Sequence, residues 1–142
     1  MKFSDVTPNL IVTDVSRSTA FYRDVLGFST VTTVPEAPPW AFAWMQRDGV
    51  SVFLNSQESV RAEHAELGGR PIGGGNTIFI VLAADTIAEG VDAMYAAVSG
   101  RARVVMTPKN QFYGMREFGI EDPDGYVIFF AQQLAPETSS NS

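Results

Sequence analysis

No cysteine occurs among the 142 residues. That removes disulfides, thiolate metal sites and cysteine nucleophiles, and it suits a reducing compartment such as the cytoplasm. Histidine is nearly absent as well, His64 being the single one. A His–His–carboxylate iron site is therefore impossible within one chain. A zinc site would be left with carboxylates and amides, an unusual donor set for that ion. A Ser–His–Asp triad would have to use His64, which lies in the polar stretch Glu63-His64-Ala65-Glu66 with no nucleophile-elbow sequence in support. His64 reads as a surface residue, with a pocket or partner contact, or a lone acid–base role, as the alternatives.

Long apolar runs are missing too. The longest, Ile78 to Ala84, is one strand's worth, far short of the ~20 residues that span a bilayer. The start, Met1-Lys2-Phe3-Ser4-Asp5, has no apolar core of a signal peptide. These features read as a protein without a membrane partner. Basic residues are outnumbered, for a net charge of −6, which argues against nucleic acid and mildly favours cationic ligands. An acidic balance is also ordinary in bacterial cytosolic proteins.

What is present is a pattern that runs twice. Leu10-Ile11-Val12 is a short β-branched strand signal. Asp14 and Ser16 offer helix N-caps, Ala20, Phe21, Val25 and Leu26 follow at helical spacing, and Gly27 stands where a left-handed cap is expected. Phe28 to Val34, Trp40 to Gln46 and Val50 to Asn55 read as strands, punctuated by Pro35 to Pro39 and by Arg47-Asp48-Gly49. A connector over 56–75 follows; Gln57 to Leu67 has the character of a short polar helix, and Gly73-Gly74-Gly75 that of a flexible linker. Because that glycine run precedes a strand, it is no phosphate loop.

The pattern then restarts. Thr77 to Leu82 is a strand, and Asp85 can cap a helix with Ile87, Val91, Met94, Tyr95 and Val98 on one face. Gly100 ends it. Arg103 to Thr107, Met115 to Ile120 and Tyr126 to Gln132 are three more strands, the last two joined by the turn Asp122-Pro123-Asp124-Gly125. The expectation is a single α+β domain built from two βαβββ modules, about 7–55 and 76–132, with a disordered polar tail over 135–142. Each module has one helix to cover one face of four strands. The other faces must find partners, and the eight strands would form an open, curved sheet around a cleft.

Two stretches carry a family resemblance. Ser18-x-x-Phe21-Tyr22-x-x-x-Leu26-Gly27 after Asp14, and Gly114-x-Arg116-Glu117-Phe118 followed by Asp122-Pro123-Asp124-Gly125-Tyr126, resemble the vicinal-oxygen-chelate superfamily. That superfamily holds glyoxalase I, extradiol dioxygenases, fosfomycin-resistance enzymes and bleomycin-resistance proteins. The match covers about residues 7 to 132 and is closest to the bleomycin-resistance-like members. The resemblance is specific for fold and weak for chemistry, since relatives share these motifs while doing different things. It implies metal positions on the first, fourth, fifth and eighth strands. Counted from the matched motifs they fall on Thr7, Phe53, Asn76 or Thr77, and Phe129. Two phenylalanines cannot ligate, and an amide with a hydroxyl holds a hard cation only weakly without carboxylates. No metal or other cofactor is expected.

The candidate ligand-binding residues are Trp40, Phe42, Trp44, Phe53, Asn76, Phe112, Tyr113, Glu117 and Phe129. Trp40, Phe42 and Trp44 alternate, so one strand would place all three on one face, in a cleft or equally in a core or dimer interface. Large flat rings suit stacking of a planar ligand. Glu117 and Tyr113 could transfer protons without metal if their pKa values were shifted; Arg116 could instead hold Glu117 in a structural pair. No residue is singled out as catalytic. The resemblance implies a homodimer that sequesters a bulky, aromatic small molecule, a drug or metabolite, in hydrophobic clefts. The alternative is a glyoxalase-type lyase, isomerase or transferase, and a third possibility is this fold with an unrelated ligand and role.

Overall fold

The computed structural model describes residues 1–67 and 69–135. Residues 68 and 136–142 lie outside the described residues, and most of the expected disordered tail lies with them. The first module is β1 (Asn9–Val12), α1 (Val15–Asp24), β2 (Ser29–Val34), β3 (Phe42–Arg47) and β4 (Val50–Ser56). A connector follows, with α2 (Gln57–Glu63) and a 3-10 turn at Ala65–Leu67. The second module is β5 (Thr77–Val81), α3 (Val91–Val98), β6 (Arg103–Asn110), β7 (Met115–Glu121) and β8 (Val127–Gln133). The strand orders are β1-β4-β3-β2 and β5-β8-β7-β6, the first pair of each parallel and the rest antiparallel. The class is α+β as expected. The eight strands form two four-stranded mixed sheets, not closed into a barrel, and no ladder joins one sheet to the other among the described residues.

Alternation along the strands sends one set of side chains to the helix and the other to the open face. In the first module Ala43, Met45, Val52 and Leu54 are buried with Val15, Tyr22 and Leu26 in the core. In the second, Phe118, Ile120, Ile128 and Phe130 are buried with Val91 and Val98 of α3, and the Phe118 and Phe130 rings stack at 5.2 Å. Asp14 caps α1 by accepting from the Arg17 N–H, and Gly27, at φ 75°, turns the chain out of it.

Three local expectations need correction. Trp40 is not part of β3, which begins at Phe42. Prolines 35, 38 and 39 have no N–H to give to a ladder, and Trp40 at the end of that loop packs against the core instead. Asp85 does not cap α3. The Thr86 hydroxyl takes the Glu89 N–H, the helix starts later, and Gln132 of β8 accepts from the Val91 N–H while donating to the Ala84 and Thr86 carbonyls. Gly90 is the approach that makes this possible, since a Cβ there would stand 1.9 Å from the Gln132 Oε1. Gly73 is more than a linker residue: at φ 78° it lies so close to the Asp124 carbonyl that a Cβ would meet it at 2.1 Å.

The turn between β7 and β8 clasps the two modules together. Asp122 accepts at Oδ1 from the backbone N–H groups of Asp124 and Tyr126 and at Oδ2 from the buried Tyr22 hydroxyl of α1 at 3.0 Å. Asp124 accepts from the hydroxyls of Thr13 at 2.8 Å and Ser18 at 3.3 Å, with the Arg17 guanidinium at 3.4 Å. The Tyr126 hydroxyl donates to the Ile11 carbonyl at 2.8 Å. No helix among the described residues is long and apolar enough to cross a membrane.

Burial pushes the Asp122 carboxyl up from its ordinary value of 3.8, against the downward pull of its hydrogen bonds to Tyr126, Tyr22 and Asp124. A carboxyl raised on folding holds its proton more tightly folded than unfolded, so its contribution to stability is largest in acid and is lost as pH rises above 3.8. Asp122→Asn keeps an Oδ1 acceptor for the turn and removes the titration. Urea unfolding at a series of pH values should therefore show the stability difference moving in the variant's favour as pH rises through that window.

Candidate functional site

The open face of the first sheet carries an aromatic cluster. Phe42 and Trp44 of β3 flank Phe53 of β4, with ring centroids 5.2 and 5.9 Å apart and edge-to-face geometry. The Trp44 indole N–H donates to the Ser51 hydroxyl at 3.0 Å, which fixes the ring across the sheet. Asn55 bonds Asn9 beside them. All three rings are part-exposed, since α1 covers only the opposite face.

The second sheet repeats this row with different chemistry. Register places Asn9, Phe53 and Trp44 in line across β1, β4 and β3, and Phe79, Phe129 and Gly119 in line across β5, β8 and β7. The glycine is what lets the Phe129 ring settle. A Cβ at 119 would stand 2.8 Å from that ring and 2.9 Å from Val105. Phe79 is 49% exposed. Sequence reading missed Phe79 and Gly119, because Thr77 to Val81 is apolar nearly throughout and shows no alternation. Only pairing with Phe129 reveals which face Phe79 occupies.

Glu117 shares that open face. Residues 116, 118 and 120 of β7 turn toward α3, and 117 and 119 away from it. The Arg116 Nε donates to Asp92 of α3 at 2.8 Å and its Nη1 to Asn110, so the expected pairing of Arg116 with Glu117 is not made. Glu117 is only 5% exposed. Its Oε1 accepts from the Tyr113 hydroxyl at 2.5 Å, and its Oε2 is buried with no hydrogen-bond partner among the described residues. An unmet buried acceptor costs on the order of 1–3 kcal/mol, more when charged. The same bond raises the Tyr113 phenol above its ordinary value of 10.0, which keeps the proton on the tyrosine.

The remaining candidates are scattered. Phe112 touches Tyr113 at 5.1 Å on the β6–β7 turn and is 99% exposed. Asn76 is exposed just ahead of β5. Trp40 packs part-buried against the core, its indole nitrogen buried and without a partner among the described residues. The family's metal fits poorly. Phe53 packs against the Phe42 and Trp44 rings, the Phe129 ring lies against Gly119, and no group of three or more His, Asp or Glu side chains among the described residues could hold an ion. His64 faces Glu66 on the connector, Nδ1 to Oε1 at 3.5 Å, and is half exposed.

A cavity of about 720 Å³ lies elsewhere, between the modules on their helical side. Leu26, Arg47, Ile80, Leu82 and Met94 are among its walls, and none of the candidate residues is. Arg47, its one cationic wall residue, already donates to the Leu26 carbonyl at 2.7 Å. The open faces, not this gap, gather the rings and the unmet carboxylate.

Comparison with known proteins identifies the family of the fold. Residues 5–130 match the model of the Glyoxalase/Bleomycin resistance protein/Dioxygenase superfamily. A bleomycin resistance protein of Geobacillus stearothermophilus is 29% identical over 131 residues, 89% of this chain and 95% of that protein. Among solved structures, a member of the same superfamily from Sphaerobacter thermophilus superposes with a TM-score of 0.72 at 24% identity, covering 92% of this chain and 98% of that one. A bleomycin-binding protein of Streptomyces verticillus, solved with copper(II)-bleomycin, gives 0.62 at 19% identity, covering 96% and 99%. The chain thus belongs to the glyoxalase/bleomycin resistance protein/dioxygenase superfamily.

Proposed function

We propose that this protein binds a bulky, aromatic small molecule on its open sheet faces and sequesters it, without a metal, in the cytoplasm. The observation that carries the reading is the Phe42–Phe53–Trp44 cluster, which the fold leaves uncovered opposite the α1 side. Apolar ring surface in that position wants a partner, and planar rings stack on it. The relatives named as bleomycin resistance and bleomycin-binding proteins support ligand capture rather than turnover. The competing reading, a metal-free lyase, isomerase or transferase of glyoxalase type, has the Tyr113–Glu117 pair in its favour.

The test uses Trp44 and Trp40 as a matched pair. A planar aromatic ligand should quench tryptophan fluorescence, and Trp44→Ala should weaken its binding by roughly 1–3 kcal/mol, the loss of one stacking platform. Trp40→Ala should instead lower stability by about 2–4 kcal/mol, near the range for core aromatics, with the affinity of the folded fraction unchanged. Unchanged affinity in folded Trp44→Ala removes the cluster from the site.

The open faces also bear on assembly. Phe79, Val81, Val105 and Tyr113 of the second module are exposed, and a two-fold homodimer would close the face of one module over that of its partner. Light scattering at micromolar concentration should give twice the chain mass, and a single-chain mass would count against the dimer. Elemental analysis should find no stoichiometric zinc, iron, nickel or manganese, and chelator should leave the melting temperature where it was, because no bound ion is there to lose.

A further inference from the structure

We infer that Glu117 is the charge-reading group of the ligand site, its Oε2 accepting a hydrogen bond from a cationic nitrogen, a protonated amine, amidine or guanidinium, carried by an aromatic ligand. This rests on the proposed use of the open faces and specifies what they recognise. Burial of a carboxylate oxygen without a partner is costly, and proteins retain such a group where something else supplies the missing donor. Among the described residues nothing does. Tyr113 serves Oε1 only, and Arg116 is turned to Asp92 and Asn110 on the other side of the sheet. Lys109 stands opposite Glu117 in the ladder but is exposed, and Oε2 has no hydrogen-bond partner.

The surroundings of Glu117 favour charge as well as hydrogen bonding. The Phe129 ring lies over Gly119, two residues along the same face, with Phe79 beside it in the ladder. Ring faces attract a cation, and the carboxylate would finish the bond at the nitrogen. Tyr113 guards the approach. It sits on the turn Gln111–Gly114, where Gly114 has φ 85° and its N–H bonds the Gln111 carbonyl, and it is half exposed. Its hydroxyl donates to Oε1, leaving Oε2 as the acceptor for the ligand.

The experiment compares two dyes with related ring systems, proflavine and acridine, at mildly alkaline pH, where the first is cationic and the second neutral. Dye fluorescence anisotropy measures binding to wild-type protein, Glu117→Gln and Trp44→Ala, with circular dichroism to confirm folding. Glu117→Gln should weaken proflavine by about ten-fold or more and leave acridine unchanged. If Glu117→Gln affects neither dye, or both alike, the anchor is wrong while the aromatic face still binds. Wild-type protein that captures neither dye overturns the anchor and the proposed function together. A second readout needs no substitution. In protein carrying ¹³C-labelled glutamate, the Glu117 carboxyl resonance should move on adding proflavine and stay put with acridine; a resonance indifferent to proflavine refutes the inference.

Discussion

The acidic turn at Asp122–Gly125 is the joint on which the rest of the molecule hangs. A hairpin turn of this composition needs only to reverse the chain, with Gly125 at φ 85° and the Asp122 carboxylate collecting two backbone N–H groups. Here the same two carboxylates reach into the other module. They bind Tyr22, Thr13 and Ser18 across a separation of about a hundred residues in sequence. Gly73 allows the connector to pass against the turn's backbone with no Cβ in the way. Turn geometry and module docking are therefore one network, and loosening either loosens the other.

That joint lies on the α1 side, and on the opposite face of the first sheet Phe42, Trp44 and Phe53 stay part-exposed. Strand alternation then divides the labour residue by residue. Ala43, Met45, Val52 and Leu54 build the core, and their neighbours Phe42, Trp44 and Phe53 build the exposed ring cluster. The two modules fill matching rows differently. The first has the bulky Trp44 beside Phe53, and the second has Gly119 beside Phe129, where the Phe129 ring and Val105 take the space a side chain at 119 would need. A fold that elsewhere in the superfamily is expected to hold a metal here presents rings at two of those strand positions.

Glu117 stands out against this apolar background. Its neighbours on the open face are Gly119, Ala131 across on β8 and the exposed Lys109 across on β6, its sequence neighbour Arg116 is committed to α3, and one of its oxygens meets no donor among the described residues. A single buried acceptor among rings discriminates by charge more sharply than the rings can, because an unpaired ligand there leaves a carboxylate unmet.

The sequence by itself determined the repeated βαβββ order, because helical and strand periodicities are local and Asp14, Gly27 and the Asp-Pro-Asp-Gly turn mark their boundaries in the chain. It also determined that no histidine or cysteine set could hold a metal, a matter of counting. The extent of β3 was beyond it: alternation of Trp40, Phe42 and Trp44 looks like one face, yet the prolines ahead of Trp40 withhold ladder donors and the ring goes to the core. The start of α3 was also hidden, since its cap is Gln132, forty-one residues away from Val91. Register across strands alone placed Phe79 and Gly119 beside Phe129, and the partners of Asp122, Asp124 and Glu117 were fixed by docking and by which face of β7 each side chain occupies. Those are long-range contacts, and a chain's local pattern carries propensity and period but not which distant donor will reach a given acceptor.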